Sequence, residues 1–188
     1  GNGNSTFTVG TTNNTNTTIT NGDGNSTFTV TAANDVSIAN GDGNGNFTIT
    51  AGNDVTINNG EGASNITVTA ADDATIISGN GNTDFTVTAT DDATVTNGNG
   101  NATFTVRANT AVVNTGNGDS NIAVTGTGSN AEATVTAGNG NTDITVGSVL
   151  KATVTSGDGE STITVTATGQ ASVTSGNGDK TVDINTAD

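Results

Sequence analysis

The sequence has no proline, cysteine, methionine, tryptophan, tyrosine or histidine, and its only aromatic residues are five phenylalanines. Without cysteine the chain can form neither disulfides nor thiolate metal sites. Without histidine, cysteine and tyrosine it lacks several of the side chains that most often act as general bases or nucleophiles. No unique polar cluster stands out from the rest of the chain, and we therefore predict that it is not an enzyme.

Positive charge is also scarce, because Arg107, Lys151 and Lys180 stand against eighteen acidic residues, for a formal net charge of −15. Nucleic acids and anionic membrane surfaces both attract positive charge. No apolar run approaches the roughly 20 residues of a membrane-spanning helix. We therefore predict no nucleic-acid partner and no membrane insertion. A hydrophobic fraction of 30% would suggest disorder, but the spacing of residues argues otherwise.

The tripeptide Gly-x-Gly recurs along the whole chain, and most copies are 19 residues apart. The copies begin at Gly1, Gly22, Gly41, Gly60, Gly79, Gly98, Gly116, Gly138, Gly157 and Gly176. Such regularity is typical of repeat proteins, in which each copy is one structural unit that stacks on the next. Residues 1–188 are therefore predicted to form a single repeat domain.

Apolar residues alternate with polar ones after each marker, which indicates β-strands. The first large apolar position of each unit is occupied by Phe7, Phe28, Phe47, Ile66, Phe85, Phe104, Ile122, Ile144, Ile163 and Val182. A second, shorter alternation precedes the next marker, as at 36–38. The predicted fold is all-β: a parallel β-solenoid of about ten coils of 19 residues, with two short strands per coil and uncapped ends.

Stacking in register places like residues above one another and predicts two columns that hold coils together. Phe7, Phe28, Phe47, Phe85 and Phe104 are predicted to stack in a narrow core. An amide ladder is predicted at one turn, where stacked amides bond along the axis, from Asn25, Asn44, Asn82, Asn101 and Asn141. Glycine at both marker positions predicts positive φ at both.

The two ends of the sequence carry strand motifs and no capping helix or proline, although Asp179, Lys180, Asp183 and Asp188 slightly blunt the last coil. An exposed strand edge recruits another strand. Two alternatives follow: the chain is cut from a longer array, or its ends pair with other copies of itself. The second alternative predicts a homopolymer that grows end to end.

The outward positions of the first strand are rich in threonine. The array comprises the pairs Thr29/Thr31, Thr48/Thr50, Thr67/Thr69 and Thr86/Thr88. Such ranks resemble the ice-binding face of solenoid antifreeze proteins, which implies ice binding as an alternative function. Arg107, Ala123 and Gly147 interrupt the array. Threonine is also an ordinary soluble residue of strands, and the ranks could reflect that alone.

Aspartates recur at the second turn, and stacked carboxylates there repel one another unless a cation relieves them. Asp35, Asp54, Asp73 and Asp92 are therefore weak candidates for calcium ligands, since Ca²⁺ prefers oxygen. The units also resemble calcium-binding nonapeptide repeats at Gly22, Gly24 and Phe28, but Ser26 stands where that family has its aspartate. A solvated acidic edge is the alternative, and no cofactor is predicted.

The turns Gly22–Asn25 and Gly41–Asn44, which read Gly-Asp-Gly-Asn, resemble those of curli subunits, although the glutamine columns of that family are missing. Residues 51–57 resemble filamentous-haemagglutinin-type adhesins, whose coils are three-sided. Both resemblances imply an extracellular or cell-surface scaffold of a prokaryote. The leading hypothesis is a structural subunit that stacks into a filament or adhesive biofilm scaffold. A calcium-ordered adhesin or surface-layer segment is a weaker alternative.

Overall fold

A computed structural model of the chain describes residues 3–187, which form β-strands joined by short turns. The strands are β1 (Ser5–Thr11), β2 (Thr17–Thr20), β3 (Ser26–Ala32), β4 (Val36–Asn40), β5 (Gly45–Ala51), β6 (Val55–Asn59), β7 (Ser64–Ala70), β8 (Ala74–Ser78), β9 (Thr83–Ala89), β10 (Asp92–Asn97), β11 (Ala102–Ala108), β12 (Thr110–Thr115), β13 (Ser120–Gly126), β14 (Glu132–Ala137), β15 (Thr142–Ser156), β16 (Ser161–Ser175) and β17 (Lys180–Thr186). The marker residue Gly1 and the acidic residue Asp188 lie outside the described residues.

Every strand pairs in parallel with its equivalent in the neighbouring coil, as Phe28 with Phe47 and Ile38 with Ile57. The odd-numbered strands from β1 to β15, followed by β16 and β17, build the first sheet. The even-numbered strands from β2 to β14 build the second, which continues into the later halves of β15 and β16. The predicted parallel β-solenoid of about ten turns is therefore confirmed.

The core is the narrow space between the two sheets, and alternation decides which residues enter it. In β5 the side chains of Phe47 and Ile49 are buried, whereas Thr48 and Thr50 face solvent. The phenylalanines stack almost face to face: the ring centroids of Phe28 and Phe47 are 4.7 Å apart at an interplanar angle of 9°. The aromatic column is broken at coils where isoleucine takes its place, as at Ile66.

The two glycines of each marker serve different purposes. In five described markers the second glycine has positive φ, 126° at Gly43, where other residues are strained, whereas Gly81, Gly100, Gly118 and Gly140 do not have it. The first glycine has ordinary φ but no room for a side chain, since a Cβ on Gly41 would lie 2.5 Å from Asp23 Oδ1. The prediction of positive φ at both positions is therefore wrong for the first glycine, and for the second it is confirmed in some coils only.

Candidate functional site

The outward face of the first sheet carries the threonine ranks in register. Thr29, Thr48, Thr67 and Thr86 align across four successive coils, and Thr31, Thr50, Thr69 and Thr88 align beside them. All are exposed except Thr88, which is half-buried. No register shift occurs among these strands. The structure thus brings the predicted residues together in a regular two-by-four array of methyl and hydroxyl groups.

The same two ranks lose their threonines further along the axis. Arg107 pairs with Thr88 and Thr125 on either side, Ala123 pairs with Thr105, and Gly147 pairs with Thr125. The regular array is therefore confined to the first half of the solenoid.

Negative charge is concentrated at the turns rather than on the faces. Asp23, Asp42 and Asp158 lie in the marker turn, and Asp54 and Asp73 lie in the second turn. On the outward face of the first sheet the charged residues of the described chain are Asp84, Arg107, Asp143 and Asp183. The outward face of the second sheet carries Asp92, Glu132 and Lys151, and most of the acidic residues of the described chain lie at the two turn edges rather than on the faces.

The five asparagines predicted to form an amide ladder are exposed and bond differently. The side-chain oxygen of Asn25 accepts a hydrogen bond from the backbone N–H of Asn44 at 3.1 Å, and Asn82 accepts one from Asn101 at 3.1 Å. Asn141 accepts one from Glu160 at 3.0 Å. The bonds run along the axis, but the donor is the backbone of the next coil rather than a second amide.

Side-chain amides do bond to one another at three other positions. At the second turn, Asn53 Nδ2 donates to Asn34 Oδ1 at 2.7 Å. At the centre of the marker turn, Asn99 Nδ2 donates to Asn80 Oδ1 at 3.0 Å. Inside the coil, Asn21 Nδ2 donates to Asn40 Oδ1 at 2.9 Å, and Asn40 Nδ2 donates to Asn59 Oδ1 at 2.8 Å. The residue before each marker is itself periodic, so the sequence shows that this column exists, but not that it is buried.

The buried column has one unsatisfied group. In other coils its members bond to a hydroxyl five residues later, as Asn59 Nδ2 does to Ser64 Oγ at 2.9 Å. Asn97 is buried, and Ala102 stands at the position of that hydroxyl. Asn97 Oδ1 has no hydrogen-bond partner among the described residues; its equivalent Asn59 Oδ1 accepts from Asn40 of the preceding coil, where Asn97 has Ser78. A buried polar atom without a partner is destabilising.

We expect Ala102→Ser to stabilise the protein by about 1 kcal/mol, because its hydroxyl can accept a hydrogen bond from Asn97 Nδ2 as Ser64 Oγ does from Asn59 Nδ2. The free energy of unfolding in urea measures the gain. Ala108→Ser is the matched control: it adds a hydroxyl at another buried position, away from Asn97, and should destabilise. Equal effects of the two substitutions would contradict the assignment.

The acidic residues of the second turn form one compact group, in which carboxylate oxygens of Asp54, Asp72 and Asp73 lie within 4.8 Å of one another. Partial loss of solvent, and then the charges of neighbouring carboxylates, raise the pKa of Asp72 above its ordinary value. Asp54 Oδ1 already accepts the N–H of Asp73, and Asp73 Oδ1 accepts that of Asp92. Two of the six carboxylate oxygens are thus engaged, and all three residues are exposed, so nothing beyond the closeness of the carboxylates indicates a calcium site.

Comparison with known proteins adds no family to these observations. No protein-family model matches the chain, and neither a curated protein nor a solved structure matches it significantly. The resemblances to curli subunits and to haemagglutinin-type adhesins therefore stay predictions. Residues 3–187 include no helix long and apolar enough to cross a membrane.

Proposed function

We propose that the protein is a structural, non-enzymatic solenoid that stacks end to end into an extracellular or cell-surface filament of a prokaryote. The observation that carries the proposal is that the coil–coil contacts share one parallel register, as between β3 and β5 or between β7 and β9, apart from an irregularity between β15 and β16 at 146–151. The exposed edges of the first and last described coils offer the same backbone groups and the same core columns. A second copy can therefore continue the ladder without any new kind of contact.

The two edges complement one another when the register is continued. Val182 would lie against Phe7 of the next copy, and Ile184 against Val9. Val182 is 43% exposed and Ile184 is 44% exposed, whereas the equivalent residues of inner coils are buried. Residues 3–22 contain no charged side chain, so the first coil offers no charge repulsion to an incoming strand. Covering these apolar groups favours association.

Lys180 is expected to weaken the contact between stacked copies. It occupies an inward position where earlier coils have small residues such as Ser161. Its Nζ donates to the carbonyl oxygens of Gly157 at 3.1 Å and Gly159 at 2.5 Å, and to Ser161 Oγ at 3.1 Å. An inward-pointing charge on an edge strand disfavours edge-to-edge pairing. We therefore expect stacking to be reversible rather than amyloid-like in its stability.

Charge placed at the exposed edge should prevent stacking. We expect the unaltered protein to form particles that are multiples of one solenoid length, roughly 5 nm. Val182→Lys should keep it at a single length, because burying an unpaired ammonium in the joint is unfavourable. Negative-stain microscopy and sedimentation velocity at high protein concentration measure the outcome.

Thr166→Lys is the matched control, since it adds the same charge to an exposed lateral position of β16. This variant should assemble like the unaltered protein. Stacking along the axis is wrong if the unaltered protein stays at one solenoid length, or if the two variants assemble equally well.

Ice binding is the second candidate, and the two-by-four threonine array specifically favours it. The array is uncharged, in register and turned toward solvent, and all three properties favour an ordered lattice of water. It resembles the face of solenoid antifreeze proteins in residue type and arrangement. The matching face of the second sheet is less regular, since Ala39, Asn58 and Ile77 occupy one of its columns.

A bulky side chain within the array should abolish ice binding without unfolding the chain. We expect Thr67→Tyr to remove inhibition of ice recrystallisation, because the exposed ring interrupts the lattice of methyl and hydroxyl groups. Thr75→Tyr, on the exposed face of the second sheet, is the control and should retain activity. Activity that survives Thr67→Tyr, or none in the unaltered protein, would exclude this face as an ice-binding site.

A further inference from the structure

Three departures from the repeat meet at one place on the second-turn edge. Arg107 stands in a rank of threonines, and the connection between β11 and β12 is reduced to the single residue Asn109. In the next coil the connection between β13 and β14 is expanded to residues 127–131. Departures from the local sequence pattern are most common at functional sites. The presence of three departures at one place therefore indicates a specialised surface.

The long connection packs over the short one. The backbone N–H of Thr127 donates to the Ala108 carbonyl at 3.0 Å, and that of Glu132 donates to the Asn109 carbonyl at 2.9 Å. Gly128 lies so close to the Asn109 side chain that a Cβ there would overlap Asn109 Oδ1. Asn109 Nδ2 in turn donates to Asp91 Oδ1 at 3.3 Å. These contacts fix the loop against the neighbouring coil.

The loop and the turns beside it enclose an open groove of about 530 Å³. Its walls include the guanidinium-bearing Arg107, the carboxylates of Asp72 and Asp91, and the amide of Asn109. Partial loss of solvent, and then repulsion by neighbouring carboxylates that include Asp91, raise the pKa of the Asp72 carboxyl. A ligand cation beside Asp72 and Asp91 would relieve this repulsion. The planar guanidinium of Arg107 is suited to bind a carboxylate through two hydrogen bonds.

We propose that this groove binds a small zwitterion of the free-dipeptide class, with the ligand's carboxylate on Arg107 and its ammonium between Asp72 and Asp91. The groove supplies one cation and two anions, which complement the two ends of such a ligand. Its volume leaves space for two residues. The proposal is independent of end-to-end stacking, because all of its residues lie in inner coils.

The test is calorimetric and NMR titration with unmodified Ala-Ala, compared with the same dipeptide acetylated at its N-terminus and amidated at its C-terminus. We expect the charged dipeptide to bind and the capped one not to bind. Arg107→Thr should weaken binding about tenfold or more, since it removes a hydrogen-bonded charge. That variant restores the residue type found at Thr88 and Thr125, so it should fold normally.

Lys151→Thr is the control, because it removes another exposed cation of the same edge without touching the groove. Asp91→Asn should weaken binding as Arg107→Thr does. The proposal is overturned if the charged dipeptide does not bind, if the capped one binds equally, or if Arg107→Thr and Lys151→Thr have equal affinity. A lower melting temperature of Arg107→Thr without dipeptide binding by the unaltered protein would assign Arg107 a purely structural role.

Discussion

Replacement of Phe47 by alanine is expected to lower the free energy of unfolding by about 3–5 kcal/mol. The ring is fully buried and stacks on Phe28 with a centroid distance of 4.7 Å. Gly45 lies against the same ring, and because glycine has no side chain it cannot fill the cavity. In a solenoid each coil contacts only its neighbours, and the first two coils would lose their support as well. Urea unfolding followed by far-UV circular dichroism measures the loss.

Thr48→Ala provides the comparison, because Thr48 is adjacent in the same strand but faces solvent. Its effect should stay within about 0.5 kcal/mol. Phe7→Ala should be intermediate, since Phe7 is half-buried and stacks on a single neighbour among the described residues. Similar changes in the free energy of unfolding for all three substitutions would mean that the core does not depend on the aromatic column.

Gly43→Ala is the second substitution expected to have a large effect, with a loss of about 2–3 kcal/mol. Gly43 has a φ of 126°, and its added Cβ would lie 2.6 Å from the Gly24 carbonyl oxygen. The backbone of the coil below would have to move, which disturbs the hydrogen bond from Gly43 N–H to the Glu61 carbonyl at 2.7 Å. Thermal unfolding gives the change in stability.

Gly10→Ala is the control, because it is the same substitution at a glycine with different surroundings. A Cβ at Gly10 would meet nothing within 4 Å, and its φ lies outside the positive range. Because alanine restricts the unfolded chain more than glycine does, this substitution should be neutral or slightly stabilising. Equal destabilisation by both would mean that the marker glycines are not selected for close approach between coils.

Much of the fold could be predicted because two periods act together. Alternation over two residues decides that Phe47 and Ile49 face inward, and the 19-residue period places Phe47 on Phe28. Neither inference requires knowledge of distant contacts. Strand direction and core therefore follow from the sequence. The continuous strands β15 and β16, each of which replaces the two predicted short strands, do not.

The hydrogen bonds at the turns could not be predicted in the same way. Asn40 and Asn44 recur with the same period, and only the path of the backbone makes Asn40 buried and Asn44 exposed. The groove beside Arg107 depends on how the loop at 127–131 folds over Asn109, which no repeat describes. Sequence periodicity predicts what all coils share, and it is least informative where one coil differs.

At the centre of the marker turn, aspartate and asparagine make the same hydrogen bond, so the charge can change while the structure does not. Asp23 Oδ1 accepts the N–H of Asp42 at 3.1 Å, and Asn80 Oδ1 accepts that of Asn99 at 2.8 Å. The hydrogen bond requires a side-chain oxygen as its acceptor, and a carboxylate or an amide can supply that oxygen. Exchange of aspartate and asparagine along this column can therefore adjust solubility over a wide range during evolution while the scaffold stays the same.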